Sequence, residues 1–320
     1  MMQRQAFRVS DALRCMLVNA PRGENLACPR QSFSGARTLQ NALLWKDALS
    51  QPRDRVTLAA WQGIRTGGLV SARTRSGERA WEIDRLYLPE NCSDLPAGQL
   101  DTNHSPDTAP IELLEQLVQA LGWRAAERVF LRLTEGSPII PAAQRSGFFP
   151  SFQETMLEGW GGGTTSKGSQ SAVTIRERLP HDDYALFQLF SAAAPVAVRE
   201  SLGLTFDQWR DSREPHCRKG TEWVLETDDG RISAWLGIWP GRPGEEVELM
   251  LDPRHPELLS DLVELALARP GWQRWLVPDY QAMVIDRLRY RGFHEVGQYT
   301  MLNKRVTAPV LAHGMAPMEA

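Results

Sequence analysis

The chain has 320 residues, 42% hydrophobic and 23% charged, which is enough for two domains with ordinary cores. No apolar run approaches the length of a membrane span, and the first residues lack the apolar stretch of a secretory signal, so the sequence predicts a cytoplasmic protein. Net charge is −3, with 18 basic and 17 acidic side chains in 1–158 and 18 and 22 in the rest, so neither half has the basic excess that nucleic acid would require.

The first 55 residues show no clear periodicity. VTLAAWQ, GLVSART and RAWEIDRLYL then alternate as strands, with a turn at 75–78. The segment 89–110 has four prolines, four acidic residues and no Lys or Arg, and reads as a surface insertion. IELLEQLVQALGW has the apolar spacing of an amphipathic helix, ERVFLRLT that of a strand, and SPIIPAAQRS a short helix before the strand region GFFPSFQETML.

EGWGGGTTSKGSQSAV follows, too poor in apolar side chains to order itself, and 161–171 is expected to be a flexible linker. Next come a strand, AVTIRERL, and a helix through YALFQLFSAAA with Asp182 or Asp183 as cap. A second helix, at LTFDQWRDS, has capping-box spacing between Thr205 and Gln208. TEWVLET, RISAWLGIWP and EEVELMLDP are strands, the first two joined at Asp228-Asp229-Gly230. PELLSDLVELALAR is a helix, QRWLVPD a strand, YQAMVIDRLRYR a helix, and FHEVGQYTMLNKRV the closing strand region, with Gly292 expected in the left-handed conformation.

The two halves repeat. Aligned without gaps, 112–157 and 257–302 share 14 of 46 residues, ending on GF…QxTML in both. A duplicated unit of domain size follows, with the first unit at 1–160, the second at 172–307 and a tail at 308–320.

The element order, and above all RLRYRGFHEVGQY and AAQRSGFFPSFQE, resemble the GNAT superfamily of acyl-CoA-dependent N-acetyltransferases. The resemblance implies an α+β protein of two tandem GNAT-like units, each a mixed, mostly antiparallel sheet flanked by helices. It implies acetyl-CoA as cofactor and a small-molecule or peptide amine as acceptor; because both halves depart from the family pattern, at most one unit is expected to be active, the second being favoured. The cofactor would meet Leu251, Asp252, Arg254, His255 and Leu258, where the helix N-terminus after the fourth strand suits a pyrophosphate. The loop here, Asp252-Pro253-Arg254-His255-Pro256-Glu257, lacks the glycines of the family pattern, and Ala143 and Leu288 stand where many members carry a proton-donating tyrosine. Tyr280 and Tyr290 lie nearby but out of register.

Glu246 and Glu248, two apart on one strand, share a face and are candidate general bases for a protonated amine; Glu82 and Asp84 form the matching pair. Solvated or ion-paired sheet carboxylates are the other reading of both pairs. Trp235 and Trp239 also share a face, suited to packing or to a ligand. The four cysteines and six histidines form no metal-ligand spacing, so no metal is expected. Two functions follow: a divergent N-acetyltransferase, or a non-catalytic GNAT-fold module that binds a ligand or protein and has lost acetyl-CoA.

Overall fold

The computed structural model describes residues 3–6, 24–34, 53–62, 65–88, 108–162, 174–216, 218–228 and 230–306. The strands are β1 (Gln3–Ala6), β2 (Arg55–Gln62), β3 (Arg65–Thr74), β4 (Ala80–Tyr87), β5 (Arg128–Thr134), β6 (Phe149–Gly161), β7 (Thr174–Glu177), β8 (Thr221–Glu226), β9 (Ile232–Pro240), β10 (Glu245–Leu251), β11 (Gly271–Pro278) and β12 (His294–Arg305). The helices are α1 (Thr108–Gly122), α2 (Ile140–Arg145), α3 (Asp183–Ala193), α4 (Val196–Leu202), α5 (Phe206–Ser212), α6 (Leu258–Leu267) and α7 (Ala282–Tyr290). The insertion core at 89–107, most of the linker and the tail lie outside the described residues. No helix among the described residues is long and apolar enough to cross a membrane.

All twelve strands form one sheet in the order β1-β2-β3-β4-β5-β12-β6-β11-β10-β9-β8-β7. Its centre is an exchange. β12, which closes the second unit, pairs with β5 of the first, and β6, which closes the first, pairs with β11 of the second. The two exchanged strands pair with each other, Gln298 opposite Thr155 and Thr300 opposite Gln153. The repeated GF…QxTML is therefore the seam of the molecule. Gly147 and Gly292 both turn into these strands at positive φ (81° and 85°), a backbone conformation that costs glycine little.

Period-two alternation assigns the faces of the second unit. Leu236, Ile238, Val247 and Leu249 pack under α6 and α7 with Leu262, Val263 and Leu288. Val224, Trp235 and Trp239 point the other way, into a cluster with Leu186, Leu189, Phe190 and Trp209 of α3 and α5. In the first unit α1 and α2 cover one face, through Leu113, Leu114, Leu117 and Ala143.

Two local expectations change. The Asp182 carboxylate does not cap α3; it accepts from the Leu179 N–H (2.7 Å) and both Nη groups of Arg176 (2.7 and 2.9 Å), a stronger charged partner. At α5 the Thr205 hydroxyl accepts from the Gln208 N–H at 3.4 Å, so that half of the capping box forms.

Each half contains one parallel pair, and each opens like a V. β4 and β5 pair only over 80–82 against 128–130, and β10 and β11 only over 245–247 against 273–275. The same split thus occurs twice among the described residues. The openings differ. In the first, Asn25–Cys28 enters between the strands: the Leu26 N–H donates to Leu86 O and the Cys28 N–H to Arg132 O, both at 2.9 Å, and Ala27 bridges Leu133. Asn25 fixes the wedge, donating to Asp84 O (2.8 Å) and accepting from the Leu86 and Ala27 N–H groups (2.8 and 3.2 Å). In the second opening no such bridge occurs among the described residues.

Candidate functional site

The site grows from the β9–β10 pair. Register sets Glu246 opposite Trp239, Glu248 opposite Gly237 and Met250 opposite Trp235, all on the face toward α3 and α5. Gly237 is what lets the Trp239 indole lie across the strand, because a Cβ there would stand 2.0 Å from the ring. The His216 imidazole stacks on that indole, with centroids 3.5 Å apart and planes 4° apart. His216 Nε2 lies 3.2 Å from Glu248 Oε1, and Arg30 Nη1 lies 2.8 Å from the same oxygen. Where β10 and β11 diverge, a cavity of about 170 Å³ opens, walled by Trp209, Trp235, Met250, Phe152 and Tyr280 and floored by charged groups.

The floor is an ionic network. Glu214 takes Arg132 Nη2 at 2.5 Å, Arg75 Nη2 at 3.1 Å and Arg30 Nε at 3.0 Å. Arg132 also holds Glu154, at 2.6 Å. Burial alone would raise the Glu214 carboxyl, but Arg132, Arg75 and Arg30 outweigh it and hold Glu214 well below the usual carboxylate range. For Glu154 burial wins over the pull of Arg132, and its carboxyl is raised. Burial would likewise raise Glu248, yet Arg30 and His216 bring it down to about 2.

That value bears on the candidate bases. A carboxylate held at about 2 is a weak proton acceptor near neutral pH, since efficiency falls as the pKa leaves the working range. Glu246 lies one step along the strand and lines a neighbouring cavity with Arg30 and His216. In the first unit Glu82 and Asp84 are buried and ion-paired: Glu82 with Arg73 across the strands (2.9 Å) and Asp84 with Arg55 (2.8 Å).

The predicted cofactor segment is close at hand but chemically closed. Leu251 and Leu258 are buried in the core under α6. The Asp252 carboxylate accepts from the Arg254 N–H (3.0 Å) and pairs with its guanidinium (2.5 Å). The His255 N–H donates to Asp252 O, Leu258 to His255 O and Leu259 to Pro256 O. Glu257 turns its N–H to its own carboxylate, and its Oε1 lies 3.1 Å from His255 Nδ1. Pro253 and Pro256 have no N–H. Every N–H from 253 to 259 is thus absent or used within the loop, and two carboxylates stand where a pyrophosphate would need donors. A GNAT fold typically binds an acyl-CoA; the residues of this loop do not fit its phosphates.

Sequence reasoning did not find Arg30, Glu214, His216, Ser212 or Gln281. Arg30, Glu214 and His216 come from segments without periodicity, whereas Ser212 ends α5 and Gln281 lies in the turn before α7; only the fold brings the five together. Ala143 and Leu288 are buried and carry no proton, and Tyr290 is exposed at the end of α7. Tyr280 sits in the short turn before α7 and lines the cavity. Burial, with Glu154, Asp279 and Glu248 near it, raises its phenol, which stays protonated. Trp235 is held by its indole N–H on Glu222 Oε2 (2.9 Å) and serves both core and cavity wall. Among the described residues no group of three or more His, Cys, Asp or Glu could hold a metal ion.

No family model matches the chain, and no curated protein matches it in sequence. Among solved structures it is similar to a tandem GNAT protein from the clavulanic acid biosynthesis pathway, at 12% identity over 96% of this chain and 99% of that one, with a TM-score of 0.49. It is also similar to a GCN5-related N-acetyltransferase from Sphaerobacter thermophilus, at 14% identity over 95% and 96% of the two chains, again with a TM-score of 0.49. The parallel splits described above occur in both halves, as the duplicated sequence implies.

Proposed function

We propose that this chain is a GNAT-fold small-molecule-binding protein in which the second unit carries the ligand site and the first is a scaffold. The observation that carries the reading is the loop at 252–259, which uses its own N–H groups beside a formed cavity. The acceptor end of a GNAT-like site is built, with aromatic walls and charged floor, whereas the phosphate end lacks its donors. In the first unit the wedge Asn25–Cys28 occupies the corresponding opening.

One observation favours a second reading, an acyl-CoA-dependent N-acyltransferase. The β10–β11 split is open, and the protonated Tyr280 lines it. Calorimetric titration with acetyl-CoA and with CoA separates the two. The expected result is no saturable binding up to millimolar concentration. Micromolar binding that Arg254→Glu abolishes would overturn the proposal in favour of the enzyme. The positive test is a thermal-shift screen of small molecules, in which Met250→Trp, by filling the cavity, is expected to remove every hit.

A further inference from the structure

The cavity at the β10–β11 split has a neighbour. A second cavity, of about 280 Å³, lies at the other end of β10 beside the β9–β10 turn. Arg30 and His216 line both. His216, which lines both, stacks on Trp239, which lines the second, so the edge of this aromatic pair stands between them.

The two ends differ in chemistry. The second cavity is lined by Arg218 and Arg242, and neither makes an ion pair or hydrogen bond with a described residue. Elsewhere around the site arginines are matched to carboxylates, as Arg30, Arg75 and Arg132 are. Among the described residues Glu246 is the one acid lining this cavity, and it has a partner of its own. A cavity with two unmatched guanidiniums at its edge suits a carboxylate, for which the guanidinium fork is shaped. The first cavity offers apolar walls and, deep inside, polar atoms without partners: Ser212 Oγ and Gln281 Oε1, both buried. Buried unpaired groups are costly, and a ligand atom that bonds them recovers that cost.

We propose that the two cavities form one site for an amphipathic organic acid. Its carboxylate sits over Arg218 and Arg242, its apolar body crosses the His216–Trp239 stack, and its far end reaches Ser212 and Gln281. The proposal rests on the small-molecule reading above and specifies its ligand class.

The test uses the full chain and three matched probes: 4-phenylbutyrate, 4-phenylbutanamide and 4-phenylbutylamine. Tryptophan quenching and calorimetry report binding. The acid is expected to bind at least tenfold more tightly than the amide, the scale of one charge-assisted hydrogen bond. Arg218→Glu with Arg242→Glu, both exposed positions, is expected to cost the acid at least tenfold and leave the amide unchanged. Equal affinity for acid and amide, or full acid affinity in the double variant, overturns the proposal. Binding of the amide or amine alone overturns it too, yet leaves the small-molecule reading standing. If none of the three binds at millimolar concentration the proposal fails, and the thermal-shift screen then decides the broader reading separately.

Discussion

The two V-shaped openings began from the same repeat and ended differently. In the first, the chain's own Asn25–Cys28 enters the gap and hydrogen-bonds to both strands. In the second, the gap adjoins a cavity, and the charged groups along its floor bind one another. A split parallel pair leaves backbone groups that need partners, and there is more than one source of them. One unit takes them from its own chain. The other keeps space.

The comparison breaks most completely if the units are separated. Residues 172–307 alone would leave β11 without β6, and β12 without β5. The expected outcome is a soluble-aggregate or unfolded product by circular dichroism and gel filtration; a monomeric, cooperatively folding fragment would show the exchange to be dispensable. Next is Glu214→Gln, which removes one charge from three arginines. Leaving buried cations underpaired costs about 3–5 kcal/mol, measurable by urea unfolding. A loss under about 1 kcal/mol would show that water reaches the network.

The second opening also predicts a pH dependence. Glu248 is depressed in the folded state, from an ordinary 4.5 to about 2, so its stabilisation is present above the ordinary value and lost as pH falls toward the lower one. The shift corresponds to about 3 kcal/mol. Stability should fall between those two pH values, and Glu248→Gln should flatten that part of the curve; an unchanged curve would detach Glu248 from Arg30 and His216. The smallest effect is expected in the first opening. Asn25→Ala removes three hydrogen bonds from the wedge and should cost about 2 kcal/mol, with faster amide exchange at Leu26 and Leu86. If exchange at those amides is unchanged, the wedge is held by packing alone.

Much of this architecture was legible because periodicity and repetition are local signals. The helices at 108–122, 258–267 and 282–290 and the strands around them announce themselves by spacing, and the repeated GF…QxTML marked the two seam strands. The exchange of those strands was not legible. Identical sequences offer identical edges, and nothing in β6 or β12 states which β5-like neighbour it will join. The wedge was hidden for a related reason: Asn25 to Cys28 has no alternation, because a segment making single bonds to two strands has no face to alternate. The site was half visible. Glu246 and Glu248 could be placed on one face by counting, and the missing glycines of 252–257 could be read directly. The Glu248 partners Arg30 and His216, and Glu214 on the other side of Arg30, come from irregular segments, where spacing carries no information. The self-bonded loop shows why composition was a fair guide there: two prolines and two carboxylates change donors and charge whatever the backbone does.

The exchange has a consequence for how the protein is made. The strand that completes the first unit's half of the sheet lies at 294–305, after every other strand of the second unit. While the whole second unit is being synthesised, β5 lacks the neighbour it takes from β12, and β6 lacks both of its own. Those open edges would accept an extended apolar segment from another chain. Fidelity of this fold therefore depends on timing as much as on affinity, and a stop codon before residue 294 would produce not a shortened protein but an adhesive one.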